Sequence, residues 1–184
     1  MAKKKKGLNL GFVVSCVACL LAIVGFCMVF TNGFIYVDSG SLSVLGFSGS
    51  GKANYPGLGV VFGGTHDVMF YMNSAFGNSS NAISTDFSFN AIGCIAFVLA
   101  LAGGIVGIFG SKNKIIAFCA CAAALIGTIM VFFVVNGYAL ANSTDNLTID
   151  PSSFKWGIGY IIAIVCFCLE TLCLGYDTFL AIKK

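Results

Sequence analysis

Apolar residues gather into four long runs, at 8–30, 91–110, 115–135 and 157–182. Each reaches or exceeds the roughly 20 residues a helix needs to cross about 30 Å of hydrocarbon. Backbone groups in lipid must satisfy one another, so these runs are expected to be spanning helices. Residues 31–89 change period. FIYVD, SLSVLGF, GVVF and DVMFYM alternate apolar with polar residues and are rich in strand formers. Gly63-Gly64-Thr65-His66 is expected to turn a hairpin between the last two, and Ser39-Gly40 between the first two. The polar stretch NSAFGNSSNAIST then leads to Ser84, Thr85 and Asp86, expected caps for the second long helix. The link at 136–156 is short and polar, with room for an edge strand at most.

Charge fixes how this pattern sits. All ten basic residues are Lys, which suits a bacterial genome rich in A and T. Lys3–Lys6, Lys112, Lys114, Lys183 and Lys184 fall on one side of a four-helix arrangement, leaving Lys52 and Lys155 on the other. By the positive-inside rule both termini are expected in the cytoplasm and both larger loops outside, in the plasma membrane. Val13-Val14-Ser15-Cys16 matches a bacterial lipoprotein cleavage motif, but the apolar run continues to Phe30, which favours a spanning helix. The expectation is a single four-span domain, 1–184: a membrane all-α four-helix bundle with a small antiparallel β-sheet in the first extracellular loop, 31–89, and a second loop at 136–156.

Composition then excludes whole classes. Charged residues are 9 % of the 184 and apolar ones 58 %, with mean hydropathy +0.96. A water-soluble globule carries near a quarter charged residues. Without Arg there is no guanidinium fork for phosphate or guanine, so no nucleic-acid partner is expected. The stretch GFSGSGKA, 46–53, fits G-x-x-x-x-G-K but places Ala53 where a P-loop needs a hydroxyl for its metal. A Gly/Ser hairpin loop is the better reading, and no nucleotide or other cofactor is expected.

Chemistry-bearing residues are few. Glu170 lies inside the fourth apolar run, about 20 Å from its start. A charge at such depth costs about 2.5–3.5 kcal/mol on insertion scales. Gly159, Ala163, Cys166, Glu170, Cys173 and Asp177 recur at spacings of three or four and form one small or polar stripe, expected to face the bundle. Ser15, Cys16, Cys19, Gly103, Gly104 and the segment 119–124 are the neighbours expected by depth. Two readings of Glu170 stay open: a proton or cation site, or an acid bonded to a carbonyl or to Ser15 that fixes helix register. No second intramembrane carboxylate is expected to form a relay, because Asp177 reads as an ordinary interfacial charge.

All nine cysteines fall inside the long runs, so no external disulfide framework is expected. A soft-metal thiol cluster around Glu170 is conceivable, but buried cysteine more often serves as a small apolar residue, and no metal is expected. His66 reads as a solvated turn residue. Asn78-Ser79-Ser80, Asn142-Ser143-Thr144 and Asn146-Leu147-Thr148 are glycosylation patterns. Gly103-x-x-x-Gly107, Ala120-x-x-x-Ala124, Ala123-x-x-x-Gly127 and Ala18-x-x-x-Ala22 are expected to let helices approach closely.

Short cytoplasmic termini, a long β-rich first loop, a tight inner link and a shorter second loop together resemble the claudin and peripheral-myelin-protein-like family. The resemblance spans the chain as topology. The family's Trp and Cys signature is missing from the first loop, and Gly57-Leu58-Gly59 is its faintest echo. It implies a left-handed bundle capped by a small sheet, with adhesion or assembly as the role. The function expected is thus a non-enzymatic membrane protein that engages a protein partner, or a second copy, through its external loop. The alternative is a small transporter or its accessory subunit, with Glu170 as the site.

Overall fold

The four apolar runs are helices. In the computed structural model, which describes residues 10–44, 47–74, 77–110, 113–143 and 149–183, α1 is Leu10–Cys27 and tightens into a 3-10 turn at Met28–Phe30. Strands β1 (Ile35–Val44) and β2 (Phe47–Tyr55) follow, then a short helix α2 (Gly57–Phe62) and strands β3 (Gly64–Ser74) and β4 (Gly77–Phe87). Helices α3 (Ala91–Gly110), α4 (Lys114–Val131) and α5 (Val134–Asn142) come next, then a two-residue strand β5 (Lys155–Trp156) and α6 (Ile158–Ile182). Helices α1 with its 3-10 turn, α3, α4 and α6 are long and apolar enough to cross a bilayer. Lys3–Lys6, Gly46, Lys112, Thr144, Asp145, the pattern at 146–148 and Lys184 lie outside the described residues.

The long helices form a ring in which α1 packs on α3 and α6, and α4 packs on α3 and α6. Small residues set these approaches. A Cβ on Gly103 would lie 2.8 Å from the Ala124 amide, and one on Gly127 2.6 Å from the Ala100 amide. Gly104 meets Ala22, and Gly107 meets Leu174. The small-residue motifs therefore pack one chain's own helices, by the close approach that such residues permit in lipid.

A sheet of five antiparallel strands, ordered β4-β3-β2-β1-β5, stands on one end of the ring. Several strand assignments from sequence are corrected. GVVF is the body of α2, entered from extended Pro56 and closed by Gly63 at φ 76°. Pro fits the start of a helix and positive-φ Gly its end. Gly63-Gly64-Thr65-His66 thus turns a helix into a strand. Ser39-Gly40 is no turn either; β1 runs through it with a register shift between Ser39 and Leu42. The polar NSSNAIST segment is strand β4, paired with β3 from Gly64↔Phe87 to Ser74↔Gly77. The cap of α3 is Asn90, whose Oδ1 accepts from the Gly93 amide at 3.0 Å, whereas Ser84, Thr85 and Asp86 belong to β4.

The third long run also differs from its expected single helix. At Phe132 and Phe133 the bonds shorten to i→i+3, from Phe132 N to Ile129 O and from Phe133 N to Met130 O. Two side chains from elsewhere bind carbonyls at this break. Tyr160 donates its hydroxyl to Val131 O, and Asn90 donates to Val134 O at 2.9 Å. Asn90 also donates to Val60 O at 3.0 Å, so one buried amide joins α2, α3 and α5. Between sheet and ring lies a core of Phe34, Ile35, Val60, Val61, Val68 and Phe87. It runs on through Phe34–Tyr160 and Phe97–Phe167 ring contacts, at 5.0 and 5.3 Å between centroids.

Candidate functional site

The stripe on α6 is turned away from solvent along most of its length. Gly159, Ala163, Cys166, Glu170 and Asp177 are buried and Cys173 is half-buried, while Ile161, Ile162, Val165, Leu169 and Leu172 are exposed. Ile164, outside the stripe, is buried as well. Glu170 occupies the middle of α6 and is 0 % exposed.

Neither carboxyl oxygen of Glu170 has a hydrogen-bond partner among the described residues. The backbone of Gly104 on α3 faces it, but its amide belongs to the α3 ladder and reaches hydrogen-bond geometry with neither oxygen. Glycine matters at that crossing: a Cβ at 104 would stand 3.1 Å from Glu170 Oε1 and would collide with Ala22. Cys19, Cys166 and Cys173 lie within electrostatic reach of the carboxyl group. The other buried polar side chains among the described residues are all paired. Asn90 has its three bonds, Thr128 donates to Phe167 O at 3.1 Å, and Ser15 and Asp177 meet each other. Glu170 has both oxygens buried without compensation, a state it shares among the described residues only with Asn54 Oδ1 at the sheet end, and one that costs more than a paired group of the same kind.

Asp177 is 2 % exposed, and its Oδ2 accepts from Ser15 Oγ at 2.9 Å. Seven residues separate it from Glu170, which places the two acids on one helix face about 10 Å apart along the axis. A second buried carboxylate is therefore present, toward the end of the ring away from the sheet. Ser15, expected beside Glu170, instead sits about two turns below it.

Gly51 and Lys52 lie in β2, and Ala53–Tyr55 continue that strand, so the helix a P-loop needs directly after its lysine is absent. This also replaces the hairpin loop expected at 46–53 with strand. His66 sits in β3, half-buried against Phe87, with Nε2 3.1 Å from Gly63 O. The nine cysteines are free. Among the described residues no group of three or more His, Cys, Asp or Glu is placed to hold a metal ion.

The sheet end holds the other polar features. Lys155 pairs with Asp38, and that carboxylate raises the lysine's pKa above its ordinary value. Lys52 has no ion pair among the described residues and lies over the Tyr36 ring, 3.9 Å from its centroid. Burial pushes the phenols of Tyr55 and Tyr138 upward, Tyr138 further because Tyr55 is beside it. Outward, Tyr71, Met72 and Ile83 on the β3–β4 hairpin are 41, 56 and 53 % exposed. Two pockets open here, one beside Asn32 and His66 and a larger one beside Lys52 and Trp156.

Sequence reasoning missed Asn90, Thr128 and Tyr160, the residues that tie helices together. Asn90 had a signal, a lone Asn directly before an apolar run, which marks an N-cap. No protein-family model matches the chain, and no match to it is found among curated proteins. Four helices long and apolar enough to cross a membrane, under a five-stranded antiparallel sheet, are compatible with a four-span topology.

Proposed function

We propose that the chain is a non-enzymatic protein of the plasma membrane, with both termini in the cytoplasm, whose external sheet engages a protein partner or a second copy of itself. The observation that carries this reading is the uncovered half of the β3–β4 hairpin. Tyr71 on one face and Met72 and Ile83 on the other are exposed without a covering element from the same chain. Exposed apolar side chains on both faces of this outer hairpin support an interaction surface there. The claudin-like topology supports an adhesion or assembly role on the same grounds. Crosslinking in native membranes, followed by mild purification and mass identification, tests it. A stoichiometric partner or a ladder of self-oligomers that is lost in a Tyr71→Ser/Met72→Ser variant is expected. A clean monomer, or capture indifferent to both substitutions, overturns it.

A second reading is favoured by one observation, the unpartnered carboxyl of Glu170 with Asp177 on the same face below it. In that reading Glu170 binds a proton or a small cation in a transporter or its accessory subunit. Flux through reconstituted wild-type and Glu170→Gln protein tests it, and equal flux sinks it.

A further inference from the structure

We propose that the pocket between β1, β2 and the start of α6 binds one anionic phospholipid from the leaflet on the sheet side. The pocket measures about 630 Å³. Its wall toward the sheet carries Tyr36, Lys52, Asn54 and Trp156. Its floor is the outer face of α6, where Ile158, Ile161 and Ile162 are 77, 45 and 38 % exposed. Polar and aromatic groups thus stand directly over apolar ones at the level where the spanning helix begins. A phospholipid has the same vertical order, headgroup over acyl chain, and Trp and Tyr favour this level.

Charge selects the headgroup. Lys52 is the cation of the pocket, and no acidic side chain is among the lining residues. The nearby Asp38 is occupied by Lys155. Helix α6 begins at the same space: Gly157, whose own amide is bonded to Phe34 O, and Ile158 and Gly159 line the pocket. First-turn amides and the positive end of a long helix dipole both favour an anion. The lysine and the helix end together suit a phosphodiester. Phosphatidylglycerol carries that charge and phosphatidylcholine, whose choline cancels it, does not.

This inference rests on α1 and α6 lying in a bilayer and is independent of any partner of the sheet. Trp156 is the single tryptophan of the chain and lines the pocket, so its fluorescence reports occupancy. The purified full chain is placed in phosphatidylcholine vesicles containing either brominated phosphatidylglycerol or brominated phosphatidylcholine. Quenching is expected to show about a fivefold preference for the glycerol lipid, the size of one lysine's attraction at a membrane surface. The preference should vanish in Lys52→Gln, persist in Lys52→Arg and shrink with salt. Equal quenching by the two lipids, or a preference that survives Lys52→Gln, overturns the proposal. Glycerol phosphate added in the water separates the sources. Loss of the preference would assign the site to a free phosphate ester and overturn the lipid, whereas an unchanged preference supports it. No partner is present in these vesicles, so failure here leaves the sheet's partner untouched, and failure of the crosslinking leaves this site untouched.

Discussion

Ser15 on α1 donates its hydroxyl to Asp177 on α6 across 2.9 Å, joining residues 162 apart in sequence. The same hydroxyl lies 3.0 Å from Gly11 O, so Ser15 mediates between its own helix and the opposite one. Removing one partner of a buried pair leaves the other unsatisfied, at about 1–3 kcal/mol. Ser15→Ala should therefore lower stability by that amount in a detergent unfolding titration. Asp177→Asn, which keeps an acceptor, should cost less, and the double variant Ser15→Ala/Asp177→Ala should cost less than the two single changes added together.

Glu170 answers differently, because it has no partner to orphan. Glu170→Met fills similar volume and removes a buried carboxyl, so it is expected to raise stability by about 1–3 kcal/mol. Glu170→Gln retains polar atoms and should stay near wild type. A stability gain in the Met variant together with a lost flux would mark the acid as held against stability for a purpose. A clear loss of stability would reveal a partner the described residues do not supply.

Two glycines make a matched pair. Gly127→Ala drives a methyl toward the Ala100 amide and the Ala96 carbonyl, both backbone groups. Helices α3 and α4 must separate, at about 1–3 kcal/mol of overpacking. Gly175→Ala meets nothing within 4 Å, so it should be neutral or stabilising by up to about 1 kcal/mol. Thermal midpoints of the two variants in one detergent check the contrast.

Asn90→Ala unpairs the Val60 and Val134 carbonyls and the Gly93 amide at once. A loss of about 3 kcal/mol or more is expected. Asn90→Asp restores the acceptor for Gly93 but neither donor, so it should rescue little. Proteolysis near the break at 132–133 would report the loosened end of α4.

Raising pH gives a further check outside the spans. The phenols of Tyr55 and Tyr138 are pushed up by burial, so the folded state holds their protons more tightly than the unfolded chain. That contribution is complete below about pH 10, the ordinary tyrosine value, and is lost as pH rises above it. Tyr138→Phe should flatten the loss.

The long helices were legible because an apolar run of their length has few alternatives. The strands were less so. GVVF is too short for periodicity to separate strand from buried helix, and the deciding marks were Pro56 before it and Gly63 after it. Strand β4 offers almost no apolar face in NSSNAIST; its backbone is ordered by eleven residues of β3 beside it, which is tertiary context and not propensity. Glu170 stood out as an acid deep inside a run of apolar residues. The pairing of Asp177 with Ser15 did not, because counting depth from helix starts assumes a common starting plane for packed helices.

Gly157 donates its amide to Phe34 O at 2.9 Å, and a side chain at 157 would strike the Gly33 and Phe34 carbonyls. With β5 laced to Ile35 and Tyr36 directly before it, α6 has no slack at its entry. A pull on the sheet is delivered straight down the shaft of α6, and a shift of that shaft lifts the sheet in return. The two ends of the molecule are geared together.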